Sequence, residues 1–326
     1  MLSTKNKVVL RCVEAPDMEK LDLILNNQDK VCEIMNPSSY AGEHAFNFSQ
    51  LQKYYDSANN GVIKVSYKQI NKRPRLFAIG GLSMQNFPKE IRASIAKDLY
   101  FDIDMVNAHP VILEFLCRTD LDFNPVYLNK RDEIIFELIK LNPDYTYDDI
   151  KKAFLALING GPARFDKLKI FKWMVDLKIE IINIHDKFSE KYPDLLQEIK
   201  VIRVEKGDDF NHKAALMNHI LCDFENDVLN TMISFLQKTK TIKNDFVCCF
   251  DGIMIPKSST DDIHLLIDLL VKQIKKCHGI DILLKQKEMI SFDENIFANR
   301  CENITDDDYP DTNDEPESES KLATDD

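Results

Sequence analysis

The stretch FVCCFDGIMIP, residues 246–256, constrains this chain more than any other. Two apolar runs flank Asp251-Gly252, and Asp-Gly between apolar runs is a strong signal for a tight turn joining two antiparallel strands. A second short apolar strand, YFDIDM at 100–105, is followed directly by a helical stretch, HPVILEFLC. Both strands carry an aspartate at one end, Asp104 in the first and Asp251 in the second. Two such carboxylates, about 150 residues apart in sequence, suit a two-metal phosphoryl-transfer centre.

The segments around them sort by periodicity. GVIKVSYKQI alternates like a strand, and RPRLFAIGG follows as another extended piece. PKEIRASIAKDLY reads as a helix with Pro88 near its first turn. From 130 to 240 apolar residues recur at helical spacing, in RDEIIFELIKL, TYDDIKKAFLALING and HKAALMNHILCDFENDVLNTMISFLQK among others. TDDIHLLIDLLVKQIKKC is an amphipathic helix opened by a capping Thr or Asp, and IDILLKQKEM is a closing strand.

Charge and cysteine usage narrow the chemistry. The net charge is −12, but residues 302–326 hold eleven acids and one lysine, leaving −2 for residues 1–301. That tail lacks the apolar content to fold and is expected to be disordered. The near-neutral body does not exclude nucleic acid as a partner. Eight cysteines are scattered with no CxxC pair, which predicts reduced thiols and a metal, if any, held by carboxylates. No apolar run approaches the roughly 18 residues of a membrane span, and MLSTKNKVVLRCVEAPD does not read as a signal peptide. The expectation is an intracellular, non-secreted protein with no membrane contact, in cytoplasm or nucleus.

Each motif also has a plainer reading. Asp102 or Asp104 can cap the following helix; Asp251 can simply serve the turn. Lys151 and Lys152 can take a triphosphate as point charges or form a solvated pair. The basic cluster NKRPR at 71–75 can touch phosphates or be an exposed turn.

Taken in order, these pieces resemble the family A DNA polymerase superfamily, in particular its compact virus- and transposon-borne subgroup. Arg75-Leu76, then SMQNFP at 83–88 and Ile91-Arg92, resemble the run that precedes motif A. YFDIDMVNAHP resembles motif A, TYDDIKKAFLALINGG motif B and CFDGIMIP motif C. The resemblance covers about 70–290.

The resemblance implies an α+β fold. A palm with an antiparallel sheet would comprise 71–110 and 241–295, and helical fingers and palm helices 111–240. Residues 1–70 would form a short thumb-like or accessory region. It implies a template-directed nucleotidyltransferase using two Mg2+ ions, with Mn2+ as an acceptable substitute, held by Asp104 and Asp251. Lys151 or Lys152 would meet the triphosphate. His109, Asn159 and Gly160 would meet the nucleotide; Arg75, Gln85, Asn86 and Arg92 would meet the primer–template. With Asp104 on the metal, Asp102 is expected on the opposite face of its strand. Partners would be primer–template, dNTP or NTP, and a replicative helicase. Four departures stand out: Gly252 where many members have a second acid, no arginine one turn before the motif B lysine, Asn159 for a tyrosine and His109 for a gate glutamate. Primase or RNA polymerase activity, or an inactive nucleic-acid-binding accessory, remain the alternative readings.

Overall fold

Inward-facing alternation at the N-terminus builds the first of two antiparallel sheets. The computed structural model describes residues 9–35, 48–69, 73–126, 130–159, 174–205 and 211–292. The tail expectation for 302–326 and the Gly160 assignment lie outside these residues. Strand β1 (Leu10–Glu14) pairs with β2 (Ile63–Gln69), and β2 with β3 (Leu76–Ala78). Cys12, Glu14, Ile63, Val65, Tyr67, Leu76 and Ala78 are buried, as the period of two requires. β2 and β3 pair antiparallel, so Leu76–Ala78 belongs with the N-terminal sheet.

Helices α1 (Met18–Asn26), α2 (Gln28–Ile34), α3 (Phe48–Asp56) and α4 (Lys89–Ala96) accompany this sheet. Asp17 caps α1 by accepting from the Lys20 amide at 3.1 Å. One inward residue of β1 is an acid. Glu14, 0% exposed, accepts from Tyr54 Oη at 2.7 Å, Tyr67 Oη at 2.6 Å, Ser83 Oγ at 2.6 Å and the Met84 amide at 2.9 Å. It ties β1 to α3, to β2 and to the turn after β3. Burial pushes its pKa up, while the four donors pull the other way without overcoming it.

The second sheet has the order β5-β6-β4-β7, all antiparallel: β4 (Tyr100–Met105), β5 (Val247–Cys248), β6 (Gly252–Pro256) and β7 (Leu284–Lys287). The Asp-Gly turn joins β5 to β6 as the sequence predicts. Central β4 is flanked by β6 and β7, so its apolar residues Tyr100, Ile103 and Met105 are buried. The two sheets are stitched together by Val13 N–H donating to Asn244 O at 2.6 Å and by Gln85.

The remaining chain is helical: α5 (Ala108–Asp120), α6 (Arg131–Leu141), α7 (Tyr147–Ile158), α8 (Met174–Lys191), α9 (Pro193–Glu205), α10 (His212–Lys238) and α11 (Ile263–His278). Thr146 and Asp149 form a reciprocal capping box that fixes where α7 starts. Asp262 caps α11, and Gly279 ends it at φ +74°. The 27-residue α10 runs about 40 Å and packs against α5, α8, α9 and α11. Met217, Leu221, Val228, Leu229 and Met232 form its buried stripe, and full burial of each such side chain stabilises by about 1.5–3 kcal/mol. Among the described residues no helix is long and apolar enough to cross a membrane.

Candidate active site

The β5–β6 turn brings Asp251 beside the end of β4. Gly252 pairs with Asp104 in the ladder, and the Met105 amide donates to Asp251 O at 3.0 Å. A Cβ at Gly252 would lie 2.5 Å from Ile103 O and 3.1 Å from Asp104 Oδ1. Only glycine lets the strands approach this closely, so the place of a second acid is sterically closed. Phe250, just before Asp251, adopts φ +59°, a strained value for an aromatic residue. Its ring is held edge-on to Phe77, centroids 5.5 Å apart, and lies 5.4 Å from the Arg75 guanidinium.

The electrostatics show two acids facing each other. Burial, then the Asp104 carboxylate, then Glu225 push Asp251 up to about 7. Asp102 is buried and also shifted upward, by burial first and then by the like charge of Asp104, against the pull of Arg92 and Lys287. It lies on the same face of β4 as Asp104, because residues two apart on a strand share a face; the expectation of opposite faces is corrected. Lys287 Nζ reaches Asp104 Oδ2 at 3.3 Å. Burial disfavours its charge, but Asp104, Asp102 and Asp251 together raise its pKa.

A cleft of about 420 Å³ opens on these aspartates, within the size range of small-molecule sites. Asp104, Asp251, Lys151, His109, Asn159 and Arg75 all line it. Lys151, Leu155 and Asn159 follow at intervals of four along α7 and therefore share one face. Lys152 is exposed and does not line the cleft. Arg75 donates to Glu225 through Nε and Nη2, both at 2.7 Å, and His109 Nε2 lies 3.1 Å from Glu225 Oε2. Glu225 is 1% exposed. Burial alone would raise its pKa, but the His109 and Arg75 hydrogen bonds bring it below the ordinary carboxylate range.

Three residues expected to contact nucleic acid, Gln85, Asn86 and Arg92, are not among those that line the cleft. Gln85 is 4% exposed; its Oε1 accepts from the Ala78 amide at 3.0 Å and its Nε2 donates to Leu76 O and Cys248 O. Its amide is consumed in joining the two sheets. Asn86, in the same short turn, is exposed. Arg92 is half-buried on α4, and its charge acts on Asp102 and Cys249.

Sequence reasoning missed Glu225, Arg131, Asn218 and Lys285, which also line the cleft. Glu225 and Arg131 carried a signal, each being a charge on an otherwise apolar helical stripe. Asn218 and Lys285 carried none. Among the described residues no cluster of three or more His, Cys, Asp or Glu could hold a metal. A cation here would lean on two carboxylates and on its ligand.

No family model matches the chain. The putative helicase V13 of the Sputnik virophage is 27% identical over 209 residues, 60% of this chain and 26% of that protein. The chain thus spans about a quarter of the length of that relative. The solved POL domain of Pol1 from M. smegmatis, in complex with DNA primer-template and dNTP, is similar with a TM-score of 0.49 and 11% identity, over 84% of this chain and 67% of that one.

Proposed function

We propose that this chain is a template-directed nucleotidyltransferase of the family A DNA polymerase kind. The observation that carries the reading is the carboxylate pair, Asp104 and Asp251, juxtaposed at one cleft with Lys151. Within this reading, β4 to β7 form the palm and the helices between 111 and 240 the fingers.

The donor set fits Mg2+, with Mn2+ as a substitute. It offers oxygen ligands only, and Asp251, raised first by burial and then by the Asp104 charge, is the kind of carboxylate whose charge a divalent cation stabilises. Bound there, two ions would activate a primer 3′-hydroxyl and neutralise the leaving pyrophosphate. The chain's own side chains do the positioning. Asp104 and Asp251 hold the site's negative charge on rigid strand ends. Lys151 offsets the triphosphate charge, the role left open between it and Lys152. His109 and Asn159 face the sugar and base; His109 is fixed by Glu225 rather than free to swing. Arg75, paired to Glu225 and stacked over Phe250, steadies the turn that carries Asp251. Asn86 and Arg92 are left to meet the primer–template.

The virophage relative bears on partners. The sequence contains no Gly-x-x-x-x-Gly-Lys-Ser/Thr loop, the cradle for nucleotide phosphates in P-loop motors. A helicase is proposed as this chain's working partner, joined to it or separate.

The test is nucleotide incorporation by the full chain in Mg2+, comparing dNTP with NTP, with and without primer. Templated dNTP addition to a primer is expected. Primer-independent NTP polymerisation would replace this reading with a primase. A folded protein that binds duplex but incorporates neither would replace it with a non-catalytic accessory.

A further inference from the structure

The sheet β1-β2-β3 buries one face and leaves the other open. On the open face Arg11 and Lys64 are exposed, and Val13, Ser66, Lys68 and Phe77 are half-buried. Strand pairing sets these six side by side: Arg11 opposite Ser66, Val13 opposite Lys64 and Lys68 opposite Phe77. None of them is an acid, in a chain whose net charge is −12. Among the described residues Arg11, Lys64 and Lys68 have no ion pair. Arg73, exposed in the stretch that leads into β3, adds a fourth cation, 5.7 Å from the Phe77 ring centroid.

Two features select the ligand. Four like charges on one surface attract a polyanion, and a phosphodiester strand gains affinity there by releasing its counterions. The ring among the cations offers a π-face to an unstacked base. A duplex keeps its base faces inside the stack, and an acidic side chain has none. Cations and ring together therefore fit a single strand. The face also leads towards the acids. Phe77 stands edge-on to Phe250, centroids 5.5 Å apart, and Phe250 precedes Asp251 in the β5–β6 turn.

We propose that the open face of the N-terminal sheet is a separate surface that binds single-stranded nucleic acid outside the cleft. The proposal goes beyond nucleotidyl transfer, since none of these residues lines the cleft. The experiment uses the full chain as wild type, Lys64→Gln/Lys68→Gln and Phe77→Leu, with folding followed by thermal melting. It measures fluorescence anisotropy of labelled oligothymidylate, a blunt duplex and a polyglutamate peptide over a salt series. Wild type is expected to bind oligothymidylate more tightly than the other two. The lysine double variant should weaken that binding by about tenfold and reduce its salt slope by about 1.4. Phe77→Leu should weaken it by about fivefold or more and leave the slope in place. Unchanged oligothymidylate affinity in either folded variant would overturn the proposal. Equal losses for duplex and single strand, or polyglutamate bound as tightly as oligothymidylate, would overturn it too. Single-strand binding that depends on Lys64, Lys68 and Phe77 in a chain that never extends a primer would sustain it without nucleotidyl transfer. Should Phe77→Leu not fold, the lysine double variant decides alone, by whether single-strand affinity falls more than duplex affinity.

Discussion

Glu14, at the end of β1, and Asp251, in the β5–β6 turn beside Asp104, are both carboxylates on antiparallel sheets, and burial raises the pKa of each. Their partners separate them. Glu14 meets three hydroxyls and one amide, all within hydrogen-bond range. Asp251 meets another carboxylate, and Glu225 beyond it. A buried acid surrounded by donors holds a fold together; a buried acid facing an acid is poised to accept a cation. Burial alone therefore does not mark a functional acid, but the sign of its neighbours does.

The largest effect on stability should come from the first site. Glu14→Ala strands the Tyr54 hydroxyl and the Met84 amide, leaves the Tyr67 and Ser83 hydroxyls to each other, and should cost about 3–5 kcal/mol in urea unfolding. A loss below about 1 kcal/mol would erase the contrast.

Asp251→Asn should act the other way. The folded pKa of Asp251 is raised from 3.8 to about 7, so the folded chain keeps a proton that the unfolded chain releases. Its stabilising contribution is complete below about pH 4 and is lost as pH rises through 7. Without metal, Asp251→Asn should match wild type near pH 4 and exceed it by on the order of 1–3 kcal/mol above pH 8. Glu14 titrates with the same sign, but it is present in both proteins and cancels. A flat difference across this range would contradict the raised Asp251.

Much of this contrast was legible in the sequence and some was not. The Asp-Gly hairpin and the acid at the end of YFDIDM gave the second sheet and its pair, because turn chemistry and strand alternation are local. Glu14 sits at an inward position of β1, next but one to Cys12; an acid in that register was a readable sign of a buried hub. Gln85 was assigned by resemblance, and its burial depends on where β5 comes to rest, which no local pattern records. The face shared by Asp102 and Asp104 was readable from strand period alone. Glu225 sits 150 residues from Arg75, and only the tertiary packing of α10 makes them partners.

A smaller effect sharpens the cleft itself. Lys151→Ala should raise half-saturating nucleotide by about tenfold. Lys152→Ala, whose side chain is exposed away from the cleft, should stay within about twofold. Steady-state extension at varied dNTP distinguishes them, and equal effects would mean that the α7 face is assigned wrongly.

The claim that the facing acids are the working ones is tested most directly by primer extension in Mg2+ with wild type, Asp104→Asn and Asp251→Asn, each also followed by thermal melting. The account predicts templated extension by wild type, a loss of about a thousandfold in either variant, and melting of Asp251→Asn at or above wild type. Extension that survives in both variants, or a folded wild type that never extends, would contradict it.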